Sequence, residues 1–497
     1  FADGTSTIEA YGDSRVGGRR VSNRASQGGG VYLNGPAGIV LHDRSSVVEN
    51  IATGVPGAAG GGINAGIGAY VTLMDQSSIM SNSAASTGGG VYLTGANTRL
   101  SLVNGGIIQG NVITNGGGAG IYVTDGATAY LEDGRLVGND AGTADGGGLL
   151  ALQGIAADPT GIVLTGGTVV SGNTGMQGGG LYLGPDVSQA TLQQTTVQSN
   201  TAIADGGGIY AENADISLED TRVIGNYAQS DGGGIALSTG ASLTMATSYD
   251  DPSPACDPAT LPAHTYCSEV RGNRTPGWGA GIYASLSTAT ISDTAFIDNV
   301  GLSSGTSPGA GLLVGTDAEV TTTNILVTGN GQNGNSAVHV YSNAAYRSDS
   351  STYAGNQAGP LYVVSSAAVT LTRSIIWDNG DDAFYQSPIA ADCNTTQQAL
   401  GGNNYTFDPG FVTTAGGPTG SIRPQQRWTA ARVVHPTIST TVPDHWTCPC
   451  CARAPRPTWA PSRLRFWSSC RWWSGTRSSA KRNRRSGLGP KHHRRAA

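Results

Sequence analysis

The sequence predicts an all-β chain, a right-handed parallel β-helix (solenoid) of about twelve coils. Three observations carry this. A glycine mark, Gly-Gly-Gly or Gly-Ala-Gly, begins at Gly28, Gly60, Gly88, Gly116, Gly146, Gly178, Gly206, Gly232, Gly279 and Gly309, at spacings of 32, 28, 28, 30, 32, 28, 26, 47 and 30 residues. An Asn with an aliphatic residue or Phe three positions before it recurs alongside the mark. Apolar runs of three to five residues with alternating faces lie between turn formers, and no stretch shows a helical period.

Three short strands can be drawn in each unit. The first follows the glycines, as in Gly180-Leu181-Tyr182-Leu183. The second surrounds an apolar pair such as Ile216 and Leu218, and the third ends at Asn, as in Val223-Ile224-Gly225-Asn226. One such coil cannot bury its own apolar face, but stacked coils share a continuous core. Alternation places the first and third positions of the first strand inward and its middle position outward. The glycines suit a tight corner where backbones approach closely or φ is positive. Weaker copies near Ala337-Val338-His339-Val340 and Pro360-Leu361-Tyr362-Val363 complete the series. The spacing of 47 holds an insertion at about residues 247–269, and Asn403–Val412 is expected to be a last coil or cap.

Charge divides the chain at about residue 422. Residues 1–422, the expected β-helix domain, carry 33 acids, 12 arginines and no lysine. Phosphate contact needs a basic face, so nucleic acid is excluded as a partner of this part. Residues 423–497 carry 16 Lys and Arg against one acid, with six of the eight tryptophans and no repeat. They are expected to be disordered or non-native, out-of-frame sequence. The alternative is a genuine basic tail for anionic polymers or membrane. Cys256 and Cys267 bracket the insertion as a possible disulfide, and Cys393 is expected to have no partner in the body.

Four constellations are candidates for more than fold. The Asn column comprises Asn50, Asn82, Asn111, Asn139, Asn173, Asn200, Asn226, Asn273, Asn299, Asn330 and Asn379. Its reading is structural: stacked amides bonding to one another and to turn backbone. A tyrosine stripe occupies the middle of the first strand at Tyr32, Tyr92, Tyr122, Tyr182, Tyr210, Tyr283 and Tyr362, with Asn64, Leu150, Ala236, Leu313 and His339 in the other coils. Such a stripe stabilises a sheet face, and it is also a platform on which a sugar or a partner protein can lie. Asp145, Asp205 and Asp231 each precede triple glycine. Asp205 and Asp231, on successive coils, are solvated turn residues or a weak Ca²⁺ site; no other metal site and no cofactor is expected. Asp381 and Asp382 beside Trp377 are the one local acid cluster to weigh for glycosidase chemistry, and a solvated turn is the plainer reading. The body holds three histidines, His42, His264 and His339, and none of the nucleophile, zinc or phosphate-loop motifs.

At these residues the chain resembles the repeat of the polymorphic outer membrane proteins, chlamydial-type surface autotransporters, and similar bacterial β-helix proteins. That family's marks are G-G-A-[ILV] and F-x-x-N. Phe296-Ile297-Asp298-Asn299 matches the second literally, while most copies here read [VIL]-x-x-N and G-G-G-[VIL]. The resemblance spans about residues 20–380. It implies an exported passenger linked to adhesion and carries over no catalytic residue. The family's membrane β-barrel is not found in this sequence, and Asp408-Pro409-Gly410-Phe411-Val412 is similar to the closing segment of bacterial β-helix proteins with other anchors.

The expectation is a non-enzymatic, exported cell-surface or outer-membrane scaffold, monomeric and adhesin-like. Its partners would be a glycan or a host or neighbour cell-surface protein, with membrane reached only through an anchor missing from this sequence. The alternative is a polysaccharide lyase or glycoside hydrolase of the parallel β-helix type.

Overall fold

The computed structural model describes residues 1–18, 22–54, 57–153, 159–185, 187, 189–248, 268–303, 309–331, 334–380, 389–397 and 403–406. The chain divides into two units, Phe1–Val434 and His435–Ala497, and every described residue lies in the first. Cys256, Cys267, Asp381, Asp382, Asp408–Val412 and the basic tail lie outside the described residues.

The described residues form a parallel β-solenoid of about 11 turns. Three long sheets of 13, 14 and 14 strands run along it, with every pairing parallel and each strand bonded to its counterpart one coil away. The first sheet holds the strands after the glycines, from Ala2–Asp3 through Leu181–Leu183, Ile209–Glu212 and Ile235–Ser238 to Leu361–Val363. The second holds strands such as Asp215–Glu219, and the third strands such as Arg222–Ile224. Reading three strands per coil misses a fourth. Two-residue strands directly after Asn, such as Ser83–Ala84 and Thr201–Ala202, make two further sheets of four and five strands. Bridges through Asp140 to Val112 and Thr174 join these two.

Period-2 alternation sets the interior. Leu181, Leu183, Ile209, Ala211, Ile216, Leu218 and Val223 are all buried in one apolar cluster that runs through the stack. One stretch of this interior is polar. The Tyr346 hydroxyl lies 2.5 Å from that of Tyr353 and 3.1 Å from Thr322 Oγ, and the Tyr353 hydroxyl donates to Ser348 Oγ at 2.7 Å. Burial raises the pKa of both phenols, that of Tyr353 well above the ordinary value. Since every hydroxyl here has a partner, the rings fill the lumen without an orphaned donor.

Glycine is required at the corner for two different reasons. Gly206 has φ +66, a left-handed conformation that costs most residues strain. Gly207 meets the next coil: a Cβ there would sit 2.4 Å from the carbonyl oxygens of both Gly233 and Tyr227. In the coil of Ile121–Thr124, the corner is Gly118-Ala119-Gly120 rather than the run that begins at Gly116, since Gly118 carries the equivalent φ of +64. The insertion leaves between second-sheet strand Ser242–Ala246 and third-sheet strand Ser268–Arg271. Its base is tied where Thr247 Oγ accepts from Ser268 N at 3.0 Å and donates to the Asp293 carbonyl at 2.6 Å.

Cys393 is disulfide-bonded; the other six cysteines lie outside the described residues.

Candidate functional site

The Asn column is a continuous hydrogen-bonded ladder. Asn200 shows the unit. Its main-chain N–H and its Nδ2 both donate to Asn226 Oδ1, at 2.9 and 3.0 Å. Its Nδ2 also donates to the Val170 carbonyl at 3.0 Å, and its Oδ1 accepts from Asn173 N and Nδ2 at 3.0 and 2.9 Å. Val170 stands three residues before Asn173, so the apolar-x-x-Asn spacing places a carbonyl under the next coil's amide. The residue before each Asn turns left-handed, as at Ser199 with φ 54. The same pattern links Asn50, Asn82, Asn111, Asn139, Asn173, Asn226, Asn273, Asn299, Asn330 and Asn379. It also takes in Asn23 and Asn356.

Sequence reasoning passed over Asn356 because Tyr353, not an aliphatic residue, stands three before it. It also missed a second corner ladder five residues before the Asn column. There Thr168, Thr195 and Thr221 donate Oγ–H to the carbonyls of Leu131, Leu164 and Leu192 at 2.9, 3.1 and 2.9 Å. The signal was present, since a hydroxyl residue stands two before most of the apolar residues of the Asn motif.

The tyrosine stripe is also a real column. Strand register places Tyr32, Asn64, Tyr92, Tyr122, Leu150, Tyr182, Tyr210, Ala236, Tyr283, Leu313, His339 and Tyr362 side by side in that order. The rings stack in pairs: Tyr92 on Tyr122 at 5.3 Å and Tyr182 on Tyr210 at 5.2 Å. The stripe faces away from the solenoid interior, yet part of it is closely packed. Tyr182 and Tyr210 are only 8% and 7% exposed and form an apolar cluster with Leu150 and Ala236, separate from the solenoid interior. Each ring is covered by its neighbours one coil away. Burial raises the pKa of the Tyr122 phenol to about 12, and raises those of Tyr92, Tyr182, Tyr210 and Tyr283. Further along, His339 stacks on Tyr362 at 4.6 Å; its Nε2 is buried without a partner, and burial lowers its pKa to about 4.

At Ala236 the column lacks a ring, and a cavity of about 140 Å³ opens beside it. Tyr210 and Tyr283 flank Ala236 along the column. Asp205 and Asp231 line the glycine-corner side, and Ser238 and Ser285 lie beyond the column positions on the same strands or directly after them. Leu286, next to Ser285, is exposed with φ 50, a conformation that strains a bulky side chain.

The aspartates are part-buried and hydrogen-bonded into the corner. Asp205 Oδ1 accepts from Asp231 N at 2.9 Å and its Oδ2 from Gln177 Nε2 at 3.4 Å. Asp231 Oδ1 accepts from Trp278 N at 2.7 Å, and Asp145 Oδ1 from Gln177 N at 3.2 Å. Burial holds the carboxyls of Asp231 and Asp145 above the usual carboxylate range. Among the described residues no three His, Cys, Asp or Glu side chains gather as a metal site.

The fold and this face define a parallel β-solenoid repeat protein with a notched aromatic column. Comparison with protein-family models, curated proteins and solved structures finds no match to the chain.

Proposed function

We propose that this chain is a non-enzymatic, exported cell-surface scaffold, passenger- and adhesin-like, whose first-sheet face binds a glycan or a surface protein of a host or neighbouring cell. The observation that carries the reading is the aromatic column interrupted at Ala236 by a cavity with carboxylates and hydroxyls at its rim. Aromatic faces with a few convergent polar groups are the chemistry of a ligand site. The repeat's likeness to polymorphic outer membrane proteins supports the same reading at the level of motif. The test replaces Tyr182 and Tyr210 with Ser and measures both binding to glycans and cell surfaces and unfolding. Binding falls if the column is the contact face. Unchanged binding with lowered stability would make the column a packing device and remove the proposal.

A polysaccharide-cleaving reading is favoured by one observation: Asp205 and Asp231 are adjacent at the cavity, and the Asp231 carboxyl is held up by burial. Paired carboxylates at a cleft are the equipment of a glycoside hydrolase. Release of reducing ends from polysaccharides, abolished in Asp231→Asn, would establish that reading over the scaffold.

A further inference from the structure

The notch at Ala236 has the dimensions and polarity of a subsite for one sugar ring bearing a free amine. We infer that it binds the amino-pyranose unit of a cationic glycan; this rests on the reading of the first-sheet face as a binding face. Tyr210 and Tyr283 are separated by two coils, roughly 10 Å at the usual strand spacing. A ring midway between them would lie about 5 Å from each, matching the 5.2 Å at which Tyr210 already stacks on Tyr182. The cavity of about 140 Å³ is one six-membered ring in size.

The edges are unlike. Two carboxylates, Asp205 and Asp231, stand at the glycine corner, while the hydroxyl residues Ser238 and Ser285 stand at the opposite end of the strands. Tyr210 and Tyr283 line the cavity from either side of Ala236, and an aromatic face attracts a cation as well as C–H surface. An ammonium toward the carboxylates and hydroxyls toward the serines satisfies both edges of one amino sugar. Ser238 and Ser285 already bond to the phenols of Tyr210 and Tyr283, and a hydroxyl's remaining lone pair can meet a sugar hydroxyl at this edge. The surrounding surface agrees, since the body carries 33 acids against 12 arginines and no lysine.

The test is titration calorimetry of the full chain with a glucosamine hexamer, its fully N-acetylated counterpart and a hexa-arginine peptide. The glucosamine hexamer binds, and raising salt weakens it. Ala236→Leu fills the notch with the residue the column already carries at Leu150 and Leu313, and Ala236→Tyr fills it with a ring; each weakens binding at least tenfold. Asp231→Asn, which keeps the acceptor for Trp278 N, weakens the glucosamine hexamer several-fold. Equal binding of the N-acetylated hexamer, still dependent on Ala236, overturns the cationic inference and leaves the binding face standing. Binding of hexa-arginine alone moves the site to a protein partner and overturns the inference. Binding unaffected by filling the notch overturns it too, and no binding of any probe removes this subsite while the Tyr182 and Tyr210 variants judge the face itself.

Discussion

Asn200→Ala should be among the most destabilising single changes in the solenoid. The side chain is fully buried and takes part in four hydrogen bonds: two donated by Nδ2 to Val170 O and Asn226 Oδ1, and two accepted by Oδ1 from Asn173. Alanine deprives the buried Asn173 main-chain N–H of this acceptor. Leaving such a donor unmet costs about 1–3 kcal/mol, and each remaining bond contributes about 1 kcal/mol net. The expected loss is therefore about 4–6 kcal/mol. Solenoids unfold by neighbouring units and not always in one step, so two assays are needed. Urea unfolding followed by circular dichroism gives the global change. Hydrogen exchange at Asn173 and Asn226 shows whether the damage is local to the adjoining coils. Asn379→Ala is the internal comparison, because Asn379 is only half-buried and closes the described run of this ladder; its cost should be about 1–2 kcal/mol. A loss below about 1 kcal/mol at Asn200, or equal losses at both sites, would refute the ladder as a source of stability.

Gly207→Ala drives a methyl group to within 2.4 Å of two backbone oxygens and should cost about 3 kcal/mol or more. Gly225→Ala, at positive φ (+62) but facing open space, should cost only about 1 kcal/mol; thermal melts of the two variants separate close approach from backbone strain. Tyr346→Phe removes one hydroxyl from the buried Thr322, Tyr353 and Ser348 network and should destabilise by about 1–2 kcal/mol, with coupling to Tyr353→Phe in a double-mutant cycle. His339 is neutral when folded, its pKa lowered by burial to about 4, so protonation favours the unfolded chain. Its contribution is complete above the unfolded value of about 6.5 and is lost as pH falls toward 4, by up to about 3 kcal/mol. Melting of His339→Phe should therefore fall less steeply than wild type between those pH values, and parallel curves would refute the assignment.

The repeat and the Asn ladder were legible because each demands a particular side chain. Only Asn can donate and accept at once from the same short amide, and only Gly fits where Gly207 meets Gly233 and Tyr227. The Tyr column was legible as a column, since register follows from the glycine marks. Its burial was not, because Tyr182 and Tyr210 are covered by residues 26 to 32 positions away rather than by sequence neighbours. The notch was hidden for a related reason. Its far wall, Tyr283, lies 47 residues beyond Ala236, past the insertion, and only strand pairing brings the two together. The Thr168, Thr195 and Thr221 ladder was readable but overlooked, because Thr is common in strands and its corner position does not stand out in composition.

The ladder contacts are alike whether the chain between two asparagines is short or long. Asn356 meets Asn379 after 23 residues, and Asn226 meets Asn273 after 47. Cross-section is therefore fixed by a few corner residues, while contour length per coil is free. Evolution can lengthen, exchange or delete the material between ladder points without re-solving the packing, so the outer loops are open to diversification at a rate the rod does not limit. The same separation makes the corner before Ser268 a natural graft point: a foreign peptide placed there inherits a rigid base and leaves the stacking of the coils untouched.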